Sequence, residues 1–213
     1  NYITGIGCPK DPRFKKFWPA DIEILGIDNG WFHCVVWPAM LMSAGIKPPK
    51  TILINGFLTF NGKKISKSLG NSISAIELAN KYGADTIRYY VCRNFVFGQD
   101  GDFSEKEIIE RHNSELADKL GNLVSRVAGL IERNGFQKCE VKLLKNSKEK
   151  EIEKKMKNYE FDKAINEIFA FVDSCNEYVQ HEKPWETGNK KVLYELKESI
   201  LKIADLLWPF IPS

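Results

Sequence analysis

From Ser104 onward, apolar residues recur at helical spacing over almost all of the remaining chain, and only a bundle of packed helices buries such stripes. Ser104 with Glu107 forms a capping-box pattern, opening a helix that runs to about Asn134 before Gly135 stops it. Ile109, Leu116, Leu120, Leu123, Val127 and Leu130 mark its inward face. Residues 138–157 are rich in lysine and glutamate and read as a loop leading into a solvated helix. Ile165, Ile168, Phe169, Val172 and Val179 share one face of a long helix over 161–181. Pro184-Trp185 breaks the pattern, and residues 191–208 resume it.

The first half reads differently. IEILGID (22–28) is a short apolar run with Asp28 at its end, a buried strand with a carboxylate where open α/β sheets contact ligands. Residues 30–44 read as a helix with Pro38 as an internal kink and Gly45 as its stop. TILIN (51–55) is a second strand, so the order suggests a parallel crossover unit of a doubly wound sheet. Gly56 to Phe60 continues extended, and Asn61-Gly62 is a turn signal. The polar run from Lys63 to Asn71 has no core-forming periodicity and is expected to be a surface loop. Ser74 with Glu77 caps a helix that Gly83 ends, Asp85 can cap the next, and FGQDGDF (97–103) is a loop. The fold class is α/β followed by all-α, with the change near residue 110.

The charge balance, 31 basic against 28 acidic residues for a net +3, neither announces a nucleic-acid binder nor excludes one. Five cysteines, far apart and without a CxxC pair, argue against a disulfide framework or zinc knuckle and fit a reducing cytoplasm. No apolar run approaches membrane-spanning length, so no membrane partner is expected. The chain opens on Asn1 in the middle of an apolar-polar stretch, and is expected to be a piece of a longer protein.

Lys64 and Lys67 stand three apart, with Ser66 between them, just after a tight turn. Flexible cations beside hydroxyls suit a triphosphate, and a lysine that engages only as charge develops on leaving pyrophosphate lowers the barrier as well as aiding binding. Taken alone, the same pattern reads first as a solvated surface turn, and its context changes the weighing. It is not a Walker loop, because Gly56 to Gly62 has one residue too many and Lys63 is followed by lysine.

The full run NGFLTFNGKKISKSLGN (55–71) resembles the KMSKS signature of class I aminoacyl-tRNA synthetases, with Ile65 in place of methionine. WPADIEILGIDNGWFHCVVWPAMLMSAG (18–45) and FGQDGDFS (97–104), followed by a helix carrying NLVSR, are similar to the methionyl-tRNA synthetase family in particular. The resemblance implies the second half of a Rossmann-type catalytic domain over 1–55. It implies the KISKS loop with a connecting, stem-contact-like region over 56–110, and a helical anticodon-binding domain over 111–213. Trp208-Pro209-Phe210 resembles the approach to a last bundle helix that is cut off.

By the same resemblance, Lys67 with Lys64 would contact ATP phosphates, Ser66 and Ser68 would shape the loop, and Asp28 would sit by the ribose. Tyr2, His33 and Trp37 would line the methionine pocket, although His33 and Trp37 by themselves also suit core packing of an apolar helix face. Two departures stand out: Ile27 where the family has lysine, and Asn29 where it has an aliphatic residue. Asn122, Arg126 and Trp185 would read the CAU anticodon, although the first two also suit ordinary polar positions on a helix and Trp185 also suits a residue that closes the bundle. The implied substrates are methionine, ATP with Mg2+, and tRNA(Met). A zinc site, if there is one, and the HIGH-type motif would belong to an upstream part, so these residues alone are expected not to form adenylate. The rival readings are a leucyl, isoleucyl, valyl or cysteinyl synthetase, and a tRNA-binding module or split subunit without chemistry.

Overall fold

The computed structural model describes residues 2–60, 62–65 and 74–213; Ser66, Lys67 and Ser68 of the lysine loop lie outside them. The chain divides into two compact units, Asn1–Thr59 with Val96–Gly101 and Phe60–Phe95 with Asp102–Ser213.

The first unit begins with a short helix α1 (Tyr2–Gly5) and α2 (Pro12–Phe17). The Asp11 carboxylate caps α2 by accepting from the Arg13 backbone N–H at 2.8 Å, and Pro12 occupies the first turn, where its missing N–H costs no bond. Strand β1 (Glu23–Gly26) leads through a 3-10 turn (Ile27–Asn29) and a π-helical turn (Phe32–Val36) into α3 (Trp37–Ser43). Strand β2 (Ile52–Asn55) then runs parallel to β1, pairing Glu23 with Ile52 through to Gly26 with Asn55. The strand, helix, strand order expected from the sequence is therefore present.

Two details differ. The helix expected over 30–44 runs unbroken over 30–43 with Pro38 inside it, but the turn before the proline, Phe32–Val36, is π-helical. The Trp37 N–H bonds back to the Phe32 carbonyl in this widened turn, and Pro38, which has no N–H to give, follows it. Strand β1 is not buried. Its side chains alternate, Glu23 and Leu25 facing partly inward while Ile24 is 62% exposed, because the described residues cover only one face of the pair. Trp31, Phe32, Val35, Met40 and Met42 are exposed too, leaving an apolar surface on this unit far beyond scattered single residues.

Strand β3 (Leu58–Phe60) precedes β4 (Lys63–Lys64). In the second unit, α4 (Ala75–Tyr82) starts at Ser74, whose hydroxyl accepts the Glu77 N–H at 3.3 Å, and ends at Gly83, whose φ of +86° suits glycine. Helix α5 (Ala84–Asn94) follows directly. Asp85 does not cap it; its carboxylate accepts the Ser213 N–H at 2.9 Å instead. After β5 (Gly101–Phe103), α6 (Glu105–Arg111) also lacks its expected capping box. The Glu107 carboxylate is taken by the Tyr90 hydroxyl and the Asn94 amide, and the Ser104 N–H donates to the Tyr90 oxygen.

The long helical pattern is interrupted by ten π-helical residues, His112–Gly121, before α7 (Asn122–Asn134). Widening the turn adds a residue to the circuit and rotates everything upstream. Leu123, Val127 and Leu130 are buried as the spacing predicts, but Ile108 is fully buried while Ile109 is 46% exposed, and Glu115 takes the inward position beside Leu116. Sequence spacing read at a constant helical period placed this face one residue out.

A 3-10 turn (Leu143–Ser147) leads to α8 (Glu149–Lys157), α9 (Phe161–Glu182), the short α10 (Pro184–Thr187) and α11 (Lys190–Leu207). One continuous core joins Leu123 and Val127 of α7, Ile165, Ile168, Val172 and Val179 of α9, and Leu196, Ile203 and Leu207 of α11. A smaller cluster joins Leu78, Tyr90, Phe103 and Ile108, with the Tyr90 and Phe103 rings edge to face at 5.1 Å.

Glu115 meets three donors: the Tyr89 hydroxyl at 2.5 Å, Arg93 Nη2 at 3.1 Å and Arg111 Nη1 at 2.9 Å. Burial pushes its pKa up, but the bonds from Arg93 and Tyr89 and the two guanidinium charges outweigh that, leaving it below the usual carboxylate value.

Candidate functional site

The first candidate site lies at the carboxyl end of β1, in the first unit. Asp28 is exposed in the 3-10 turn directly after the strand, with Asn29 beside it. One turn and more along the chain, His33 Nδ1 meets Glu23 Oε1 at 2.8 Å, and both side chains are largely buried. That contact fixes which ring nitrogen is engaged and leaves Nε2 for other partners. The Tyr2 ring stands edge-on to His33, with centroids 6.2 Å apart. Trp37 follows His33 by four residues, placing both on one side of the helical segment. Two buried polar atoms there, Glu23 Oε2 and Trp37 Nε1, have no hydrogen-bond partner among the described residues, and such atoms call for a partner.

Tyr2 and His33 are thus brought into contact, with Trp37 alongside. Glu23 is a participant that sequence reading missed. Its signal was present: a carboxylate between Ile22 and Ile24, inside an otherwise apolar run.

The second candidate site is the root of the lysine loop. Gly56 lies so close to the next segment that a Cβ there would come within 2.2 Å of the Gln99 carbonyl oxygen. Asp100 accepts the Phe57 N–H at 2.7 Å, and the Gly101 N–H donates to the Phe57 carbonyl at 2.9 Å. Past β3, Asp102 accepts the N–H of Gly62 at 2.8 Å, and Gly62 turns with φ of +73°. The two aspartates of FGQDGDF therefore hold the backbone on either side of β3, just ahead of Lys63 and Lys64 in β4. Ser66 and Lys67 themselves lie outside the described residues.

The third candidate site is on the helical unit. Asn122 opens α7 and Arg126 follows one turn later, both exposed beside the buried Leu123 and Val127. Helix α9 ends where Lys183 turns into the left-handed region with φ of +43°, and Pro184 starts the short α10. This reversal leaves Trp185 44% exposed. Arg126, Leu130, Gln180 and Trp185 line one open cavity of about 300 Å³. Arg126 and Trp185 are brought together there, whereas Asn122 is not among its lining residues. Gln180 was not foreseen, because an exposed glutamine on a helix carries no local signature.

Among the described residues, no group of three or more His, Cys, Asp or Glu side chains is placed to hold a metal ion, and no helix is long and apolar enough to cross a membrane.

Comparison with known proteins accounts for both halves. Residues 1–128 match the family model described as tRNA synthetases class I (M), and residues 144–213 match the one described as the anticodon-binding domain of tRNA ligase. The architecture is that of a class I aminoacyl-tRNA synthetase: part of a catalytic domain, then an anticodon-binding helical domain. Among curated relatives, the chain is 38% identical to the methionine–tRNA ligase of Thermotoga maritima, over all of this chain and 37% of that protein. It is 37% identical to the corresponding ligase of Rickettsia typhi, over all of this chain and 46% of that one. A solved structure of Mycobacterium tuberculosis methionyl-tRNA synthetase in complex with methionyl-adenylate superposes with a TM-score of 0.88 at 32% identity, covering all of this chain and 46% of that chain. The apo form from the same organism gives 0.86 at 29% identity, over 99% of this chain and 45% of that one. The chain belongs to the methionyl-tRNA synthetases. It spans less than half the length of each of these relatives.

Proposed function

We propose that the chain is part of a methionine–tRNA ligase, which activates methionine with ATP and transfers it to tRNA(Met), and that it acts in the cytoplasm. The observation that carries this reading is the joint match of the catalytic and anticodon-binding family models along one chain. The proposed division of labour is residues 1–55 for the amino-acid and nucleoside side of the active site, 56–110 for the KISKS loop and its support, and 111–213 for the anticodon.

In this reading Asp28 lies by the ribose, and Tyr2, His33 and Trp37 line the methionine pocket. Glu23 holds the His33 ring through Nδ1. Lys64 and Lys67, with Ser66 shaping the loop between them, meet the phosphates as the methionine carboxylate displaces pyrophosphate. Positive groups aimed where charge develops stabilise the transition state more than the ground state. Magnesium, carried mainly on the triphosphate, neutralises charge there when bound. Any zinc would be held by residues outside those described.

The exposed apolar surface of the first unit fits this assignment, since a catalytic domain that is only partly present leaves core faces bare. The 213 residues alone are therefore expected to give no ATP–pyrophosphate exchange with methionine; robust turnover by them would refute the assignment of a partial active site.

On the helical unit, Trp185 stacks a splayed anticodon base while Arg126 and Asn122 take base edges, the way proteins read single-stranded loops. A stacked base is worth roughly 1–3 kcal/mol, so Trp185→Ala should weaken binding of a CAU anticodon hairpin by about ten- to a hundredfold. Fluorescence anisotropy measures it. A hairpin with an exchanged anticodon should be much less affected, and equal losses on both would make Trp185 a structural residue.

A further inference from the structure

The anticodon reading leaves one charge unmet. It assigns Arg126 to a base edge, and the other residues lining the Trp185 cavity, Leu130, Gln180 and Trp185, are uncharged. The bases of an RNA strand arrive with their phosphates, and a protein meets those with lysine and arginine.

Many cations of the helical bundle are already taken. Lys119 is paired with Asp173, Lys148 and Lys155 with Glu167, Lys163 with Glu160, and Lys202 with Glu149. Arg133, Lys138, Lys190 and Lys191 are exposed and make no ion pair with another described residue. Folding gathers these four at the end of the bundle that carries Trp185. Arg133 follows Arg126 by nearly two full turns, so it stands on the same side of α7, about 10 Å further on. The end of α7 meets the turn from α10 into α11, where a Cβ on Gly188 would lie 3.9 Å from the Asn134 amide oxygen. Beyond it the chain is pinned to the start of α11. The Gln137 N–H donates to the Lys190 carbonyl at 3.0 Å, the Cys139 thiol donates to the Lys191 carbonyl at 3.5 Å, and the Phe136 ring stacks on Tyr194 at 5.8 Å. Lys138 is thereby held beside Lys190 and Lys191, which follow Trp185 closely in the chain. Of the carboxylates in these segments, Glu186 is engaged by Lys183 at 3.9 Å, which leaves Glu132 and Glu140 against the four cations and Arg126. The strip is net positive.

We infer that Arg133, Lys138, Lys190 and Lys191 form a phosphate-binding strip, which takes the backbone of the RNA strand whose base stacks on Trp185. The inference rests on the anticodon reading proposed above. It adds a contact that ignores sequence, since backbone contacts fix register and orientation while base contacts carry identity.

Salt dependence tests it, in anisotropy titrations of the full-length enzyme with anticodon-arm RNA hairpins from about 0.1 to about 1 M salt. Each phosphate contact adds about 0.7–0.9 to the slope of log Kd against log salt. Arg133→Ala with Lys138→Ala, and Lys190→Ala with Lys191→Ala, should each lower that slope by about 1.5. At the lowest salt each pair should weaken binding by about thirtyfold, and the gap should close toward the highest. The loss should be equal for a CAU hairpin and for one with an exchanged anticodon. Lys150→Ala with Lys154→Ala is a control of equal charge and should keep the wild-type slope. Both stand on α8, which Lys155 ties to Glu167, about 22 Å along α9 from Glu182 at its end.

An unchanged slope for both strip variants, while Trp185→Ala weakens binding, would overturn the inference and leave the anticodon reading standing. So would an equal fall in the Lys150 and Lys154 control, or a loss confined to the CAU hairpin. A loss that persists at high salt would make the four residues structural and sink the inference too, whereas recovery of wild-type affinity there shows folded variants. If Trp185→Ala leaves binding unchanged, the anticodon reading fails and the inference falls with it.

Discussion

Replacing Glu115 with alanine should destabilise the helical unit by about 3–5 kcal/mol, the cost of stripping one partner from a buried charge cluster. The side chains of Glu115 and Arg93 are 11% and 14% exposed, so the truncation leaves a guanidinium and the Tyr89 hydroxyl without the carboxylate that satisfied them. Glu115→Gln keeps an acceptor and should lose less. Urea unfolding followed by far-UV circular dichroism measures both, and a loss below about 1 kcal/mol for the alanine variant would mean that water replaces the carboxylate without cost. The same cluster sets a pH dependence. Because the folded-state pKa of Glu115 lies below its ordinary value of 4.5, its contribution is fully present above that value. It fades as pH falls through the lower folded value, so the difference between wild type and Glu115→Ala should shrink in acid.

The second large effect is expected at the lysine loop. In the full-length enzyme, Lys64→Ala combined with Lys67→Ala should lower kcat for ATP–pyrophosphate exchange by about 10²–10³, the range found when a group aimed at developing charge is removed. The KM for methionine should change little, because the proposed methionine-pocket residues are His33, Tyr2 and Trp37 and not the lysines. An undiminished kcat would dismiss the phosphate role of both lysines. The backbone supports a loop of this kind: Asp100 and Asp102 fix the N–H groups of Phe57 and Gly62.

The parts legible in the sequence were those governed by local chemistry. The Ser74 cap and the stops at Gly83 and Gly135 each depend on residues within a few positions of one another, and the pairing of β1 with β2, although it joins Glu23 to Ile52, follows from the locally legible order of strand, helix and strand. What was not legible depends on distant partners. Glu107 leaves its expected capping role because Tyr90, seventeen residues earlier, competes for its carboxylate. Asp85 is claimed by the backbone of Ser213. The π-helical stretch has no local marker, yet it moves the buried position from Ile109 to Ile108 and brings Glu115 inward. At the candidate sites, motifs and resemblance offered candidates in advance. The positions of Glu23 and Gln180 were not legible, because each depends on neighbours that folding supplies: His33 for one, the rim shared with Arg126 and Trp185 for the other.

The parallel pair of β1 and β2 has a consequence for how the first unit can be handled. Among the described residues it is a two-stranded ribbon in which the Gly98 N–H donates to the Ile54 carbonyl of β2, whereas β1 turns one side to β2 and the other outward. An outward side of main-chain N–H and C=O groups is a template for any extended peptide, and here it adjoins the bare isoleucine at position 24. Isolated from its helical companion, this segment is set to recruit foreign strands, and concentrating it would favour fibrous or amorphous deposits over a clear solution.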